Sequence, residues 1–239
     1  MTKLSKKQRE DRKQTIKLLS FSAVTVGAVM ALTLGVTMFS GPPVAIEGVT
    51  LSQAMEDAGL TKGTLRIAGE ASDDVTLLVA GSSTCVHCQN FVANGLSELA
   101  DYADDKGWAV DYIAVPNNAA AAASSRALQC FVDAGAQQAI TASYAVSSEF
   151  VAGDRSEASL QTLVSSKMTE LGLPGDSAAC LSSETQFEQA ARLRGLSEDM
   201  KMRGTPGFFL EQEDGEGVVT FSGFADWATL ERQLEKSRP

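Results

Sequence analysis

Four cysteines and a single histidine carry most of the chemistry this chain offers, and three of those five residues fall within four positions, Cys85-Val86-His87-Cys88. Two thiols separated by two residues can close a small disulfide ring on one turn of helix; opened again, they form a dithiol that trades bonds with another sulfur. The attacking species is the thiolate. The pair follows an apolar run, Val75–Ala80, and opens a helical pattern, so it stands at a helix N-terminus, where unpaired backbone N–H groups and the helix dipole favour negative charge. Cys85, the more N-terminal of the two, is the expected nucleophile and Cys88 its resolving partner. His87 adds to the ionisation of Cys85 if it is cationic or donates a hydrogen bond.

Other chemistries would use the same atoms. A zinc site needs four ligands; with one histidine and no second CxxC, it would have to recruit both Cys130 and Cys180, so no metal is expected. Covalent haem attachment needs histidine directly after the second cysteine, and that position is Gln89. A purely structural bridge over two residues removes little chain entropy and stabilises little.

The elements that position the motif follow from periodicity. Thr50 and Gln53 resemble a capping box opening a short helix through Ala58 that Gly59 ends. Thr64–Ala68 is a short strand, and Val75–Ala80 a continuous apolar run suited to a strand buried on both faces. Val92, Leu96, Leu99 and Ala103 share a helical face closed by Gly107, and Trp108–Val115 is the next strand, halted by Pro116. Strand, helix, strand implies a parallel pair with a right-handed crossover. From Asn117 to Met202 the chain is rich in Ala, Gln and Ser at helical spacing; Ser183 and Gln186 suggest another capping box before Phe187–Arg194, with Gly195 as a stop. Strands return at Gly207–Leu210 and Val218–Phe221 around a turn at Glu213–Gly217, followed by a helix placing Trp227, Leu230 and Leu234 on one face. The expected fold is therefore an α/β core with an all-helical insertion.

The N-terminus reads differently. Seven Lys/Arg and only Glu10 and Asp11 lie in residues 1–17, a net +5, and Leu18–Phe39 is a run of 22 uncharged residues. As a helix that run would span about 33 Å, enough to cross a bilayer. It exceeds the apolar core of a cleavable signal peptide, roughly 7–15 residues, so a retained single-pass transmembrane helix is expected. The positive-inside bias leaves the N-terminus cytoplasmic and exports everything after residue 40. Ala23, Gly27, Ala31 and Gly35 form a stripe of small residues along it. The segments expected are thus 1–17 basic and cytoplasmic, 18–39 anchor, 40–62 linker and short helix, 63–116 first part of the core, 117–202 helical insertion and 203–239 second part of the core. The whole chain of 239 residues has a net charge of −10, which leaves −15 on the exported part. So acidic a body argues against a nucleic-acid partner, because phosphate binding needs clustered cations.

Taken together, the CxxC motif and its setting resemble the DsbA-like thiol:disulfide oxidoreductases of the thioredoxin superfamily, in which a helical domain interrupts a thioredoxin fold. Cys85, His87 and Cys88 match the family's Cys-Pro-His-Cys, with Val86 in place of proline and Ser82-Ser83-Thr84 where an aromatic residue is common. Gly204-Thr205-Pro206-Gly207-Phe208-Phe209 is similar to the family's loop carrying a cis-proline. The resemblance, covering about residues 63–236, implies a cis Thr205–Pro206 bond that brings Thr205 beside the dithiol, where its backbone could pair with an extended substrate. It also implies periplasmic thiol–disulfide exchange with exported cysteine-containing proteins, recycling by a DsbB-like quinone-linked membrane partner or by a reductant donor, and no dissociable cofactor. Cys130 and Cys180, 50 residues apart in the insertion, are expected to be bridged in an oxidising compartment. The competing class is a tethered binding module with a degenerate thioredoxin core, whose CxxC would be only structural.

Overall fold

The structure is a computed structural model that describes residues 42–60, 64–70, 74–132, 136–182, 184–213, 215 and 217–237. The expected basic segment 1–17 and anchor 18–39 lie outside the described residues. Among the described residues no helix is long and apolar enough to cross a membrane.

Six strands form one sheet: β1 (Val44–Glu47), β2 (Leu65–Ala68), β3 (Leu77–Gly81), β4 (Val110–Ala114), β5 (Gly207–Glu211) and β6 (Gly217–Ser222), in the order β1-β6-β5-β3-β4-β2. The strand–helix–strand pattern places β3 parallel to β4, with Val79 opposite Tyr112 and Gly81 opposite Ala114. All other neighbours run antiparallel. β3 and β4 are buried along their whole length, as strands covered on both faces are, and the one charged residue among them, Asp111 of β4, is paired with Arg66.

Alternation along the strands divides the core in two. Leu77, Val79, Tyr112, Phe208, Leu210 and Phe221 face one side, with Cys88 and Phe91. Leu78, Ala80, Ile113, Phe209 and Val218 face the other. The second face is covered by α1 (Leu51–Asp57) and α8 (Glu184–Asp199), through Leu51, Met55, Leu193 and Leu196. On the first lie α2 (Val86–Asn94), α3 (Leu96–Lys106) and α9 (Trp227–Ser237). Between β4 and α8 the chain folds into α4 (Ala119–Cys130), α5 (Ala136–Ala152), α6 (Glu157–Glu170) and the short α7 (Ser177–Leu181). These four helices extend the first core through Leu128, Ile140, Phe150, Leu160 and Val164. The last helix of the stretch 117–202 thus belongs to the sheet rather than to the lobe.

Several local expectations need correction. Residues 44–47, expected within a linker, form edge strand β1, because Val44–Glu47 finds a partner in Gly217–Thr220; only one side of an edge strand need be apolar, so the sequence signal is faint. The single helix expected to run through Ala103 is two, α2 and α3, parted at Gly95, where a Cβ would lie 2.6 Å from the Phe224 ring. Gly195 does not end its helix: α8 continues to Asp199, since its apolar face on the sheet outweighs the roughly 1 kcal/mol that an internal glycine costs. Thr50 caps α1 by accepting from the Gln53 N–H at 3.1 Å, but the Gln53 amide turns to Asp57 instead of completing the box. Ser183 lies outside the described residues.

Cys130, at the end of α4, is disulfide-bonded to Cys180 in α7. The bridge closes a loop of 50 residues, for which chain entropy gives a stabilisation of up to about 4 kcal/mol. Replacing both cysteines by serine is expected to lower the unfolding free energy by about 2–4 kcal/mol in urea titrations, while alkylation of Cys85 in the folded protein stays within about twofold of the parent's rate, as for independent sites.

Candidate active site

The CxxC motif sits where β3 ends and α2 begins. β3 delivers the chain to Gly81 in the middle of the sheet; Ser82, Ser83 and Thr84 turn it, and Cys85 becomes the N-cap of α2 in an extended conformation (φ −91°, ψ 121°). The turn is closed by the Cys85 N–H donating to the Ser82 carbonyl at 3.0 Å. Because a helix turns by about 100° per residue, four successive positions here meet four environments. Cys85 is half-buried, Val86 is 68% exposed, His87 is half-buried and Cys88 is fully buried against Phe91 and the sheet.

The two sulfurs differ accordingly. Burial pushes the Cys88 thiol far above the ordinary value of 9.0, and donation of its hydrogen to Cys85 holds it there as well. Cys85 is lowered to about 5. The largest cause is the hydrogen bond received from the Cys88 thiol; partial burial opposes it, and the Thr205 side chain and the backbone N–H groups of Cys88 and His87 add to the lowering. His87 enters through its main chain, as part of the helix terminus, rather than through the imidazole donation considered from sequence. One proton shared between the sulfurs is therefore held by the inner one, and the accessible one is the thiolate.

Facing the motif is the loop before β5. The Thr205–Pro206 peptide bond is cis, and the Thr205 carbonyl oxygen lies 3.1 Å from the Cys85 sulfur, accepting from it when it is a thiol. Pro206 is buried and its carbonyl accepts from the Gly223 N–H at 2.8 Å, which fixes the loop to the far end of β6. The structure thus brings together Cys85, Cys88, His87, Thr205 and Pro206, residues that lie up to 121 positions apart in the chain. Cys130 and Cys180 are bonded to each other and offer the site no thiol, which also removes the two ligands a zinc site would have had to borrow. No group of three or more potential metal ligands occurs among the described residues.

Sequence reasoning missed a polar cluster behind the motif. Ser82 is buried; its backbone N–H donates to the Cys88 sulfur at 3.3 Å, and its hydroxyl donates to Asn117 Oδ1 at 2.8 Å. Asn118 caps α4 by accepting from the Ala121 N–H and donates to the Thr84 hydroxyl at 2.8 Å. Below Cys88, the hydroxyls of Tyr112 and Tyr144 meet at 2.8 Å in the core. The sequence carries one signal for it, an asparagine, Asn118, in N-cap position before an alanine-rich run, and that signal was not read.

The lowered Cys85 thiol makes a pH-dependent expectation. Its thiolate form, favoured by the fold, should be populated above about pH 5 and lost as pH falls through that value, so the iodoacetamide alkylation rate of Cys85 should be half-maximal near pH 5 and flat between roughly pH 7 and 8. A rate that still climbs between pH 7 and 9 would mean an ordinary thiol.

No protein-family model matches the chain, and no curated protein matches it. Solved structures do. The chain is similar to alpha-DsbA1 of Wolbachia pipientis, with 14% identity, a TM-score of 0.53, and 71% of this chain and 88% of that one covered. A thioredoxin-like oxidoreductase from Silicibacter pomeroyi aligns at 18% identity and a TM-score of 0.52, over 73% of this chain and 91% of the other. A periplasmic thioredoxin-like protein from Salmonella enterica serovar Typhimurium aligns at 15% identity and a TM-score of 0.51, over 79% and 98%. What these likenesses share with the observed sheet and its helical insertion is the architecture, and by that architecture the chain has the DsbA-like form of the thioredoxin fold.

Proposed function

We propose that this chain is a thiol–disulfide oxidoreductase that exchanges disulfides with exported cysteine-containing proteins through Cys85 and Cys88. The observation that carries the proposal is the division of labour between the sulfurs: a half-buried Cys85 lowered to about 5 beside the cis-proline loop, above a fully buried Cys88 that keeps its proton. A CxxC serving only as a structural bridge has no use for an ionised, accessible sulfur.

In the oxidase direction a substrate thiolate attacks Cys85 Sγ of the disulfide, the Cys85–Cys88 bond breaks, and a mixed disulfide forms with Cys88 reduced. A second substrate thiolate then attacks the substrate sulfur of that mixed disulfide and releases Cys85 as a thiolate. The substrate leaves oxidised by two electrons, and the enzyme pair is reduced by two. Holding Cys85 as a stabilised thiolate favours the reduced pair, which makes the disulfide the stronger oxidant; this supports oxidation over reduction or isomerisation. Thr205 and the buried Pro206 flank the sulfur, and proline, lacking an N–H, leaves the approach of an extended peptide uncontested. The exposed Val86 offers that peptide an apolar contact.

The proposal includes tethering. The 22-residue uncharged run Leu18–Phe39, with seven basic residues before it, supports an inner-membrane anchor that places the dithiol in the periplasm. There a membrane partner can return the pair to its oxidised state. Isolating complexes from cells is the direct test: Cys88→Ser should accumulate mixed disulfides with exported proteins that dissolve on reduction, and Cys85→Ser should form none and lose oxidation of a reduced model protein. Equal activity of Cys85→Ser and the parent would leave a tethered binding module with an inert bridge.

A further inference from the structure

The first turn of a helix leaves N–H groups without a partner inside the helix, and a hydroxyl placed just before it is the usual side chain to take one. Ser82, Ser83 and Thr84 stand immediately ahead of Cys85. Serine and threonine are among the preferred caps and cysteine is not, so local propensity favours capping α2 from this run. None of the three is the N-cap. That position is Cys85, whose side chain makes no capping hydrogen bond.

Two of the hydroxyls are held elsewhere, by amides at the entrance of the helical lobe. The Ser82 hydroxyl donates to Asn117 Oδ1 at 2.8 Å. Asn118 Nδ2 donates to the Thr84 hydroxyl at 2.8 Å and to Asn117 Oδ1 at 3.1 Å, which joins the two contacts into one network. The Ser83 hydroxyl is buried without a partner among the described residues. The segment that carries the asparagines is fixed on its own account. The Val115 N–H donates to the Gly81 carbonyl at 2.7 Å, and Arg194 of α8 donates to the Pro116 carbonyl at 2.8 Å. Asn118 Oδ1 accepts from the Ala121 N–H at 2.9 Å as the cap of α4.

We infer that Asn117 and Asn118 are positioning residues that draw the Ser82 and Thr84 hydroxyls toward the lobe and away from the first turn of α2, which leaves the N–H groups of that turn to the Cys85 sulfur. This deepens the proposed exchange function and rests on it. A hydroxyl capping the turn would take a donor in every redox state. A sulfur at the N-cap gains most from the same donor when it is a thiolate, because a hydrogen bond to an ionised acceptor is about twice as strong as a neutral one. Keeping the hydroxyls away therefore favours the reduced, ionised site.

The test is the pH profile of iodoacetamide alkylation of Cys85 in the reduced full-length chain. Asn118→Ser keeps a good cap for α4 but is too short to hold Thr84. With the Thr84 hydroxyl released, the midpoint should rise from near pH 5 by about one unit. Adding Thr84→Val, which keeps the shape and removes the hydroxyl, should bring the midpoint back to within about 0.3 unit of the parent. A merely structural disturbance would not be undone by that second substitution. Asn117→Ala releases the Ser82 hydroxyl and should raise the midpoint by roughly half a unit, with Ser82→Ala restoring it; this pair keeps the test available should Asn118→Ser fail to fold. Cys88 and His87, the other titratable groups of the motif, are unaltered in every variant. A midpoint unchanged in both asparagine variants, or one that removal of the hydroxyl fails to restore, overturns the positioning role. If the parent keeps its low midpoint but oxidises no reduced protein, the exchange function is what fails, and the comparison of variants still decides the role of the asparagines.

Discussion

One asymmetry governs the site: of two sulfurs separated by two residues, the outer is favoured as a thiolate and the inner keeps its proton. Charge follows solvation and donors. Cys85 has partial contact with solvent, the first-turn N–H groups, the Thr205 side chain and the hydrogen of Cys88. Cys88 has the packed face of the sheet. A helix beginning just beyond a buried β3 produces this difference over a single turn, because the chain leaves the core after Ser83 and turns back toward it by Cys88.

That arrangement needs support from three separate parts of the chain. The parallel pair β3–β4 sets the floor of the site, and Tyr112 rises from β4 beneath the motif. The loop before β5, fixed by its antiparallel pairing with β3, brings Thr205 to the front of Cys85. The helical lobe contributes Asn117 and Asn118 at its entrance and Tyr144 from its second helix. The lobe is therefore more than a cover for the sheet, since it grips both the turn before Cys85 and the space below Cys88. Its own helices are held to one another by apolar packing and by the Cys130–Cys180 bridge, which ties α4 to α7.

Much of this was legible early. The crowding of Cys85, His87 and Cys88 pointed to thiol–disulfide chemistry, and the apolar run before them with the amphipathic run after them located the motif at a strand-to-helix junction. The continuous apolar run Val75–Ala80 announced a strand covered on both faces, which β3 is. Less legible were features whose signal depends on a distant partner. β1 is four residues with one apolar side, and only Gly217–Thr220 gives it a reason to extend. The break at Gly95 exists because Phe224, 129 positions away, occupies the space a side chain would need. Gly195 reads locally as a stop, yet contacts of Leu193 and Leu196 with the opposite face of the sheet carry α8 past it. A sequence window sees propensity, whereas burial against a remote surface is worth more per residue than propensity is.

Composition and spacing alone determined that this chain carries a CxxC pair at the start of a helix, an acidic body and an uncharged run long enough to span a bilayer, because each of these is a property of neighbouring residues. Tertiary structure alone decided that Cys88 is sealed while Cys85 keeps contact with solvent, that the Thr205 carbonyl stands 3.1 Å from the Cys85 sulfur, and that Asn117 takes the Ser82 hydroxyl behind the motif. The reason is that solvation and hydrogen bonding act through space: Tyr112, Tyr144 and Asn117 are unremarkable in the chain, and come together only when the sheet and the lobe close.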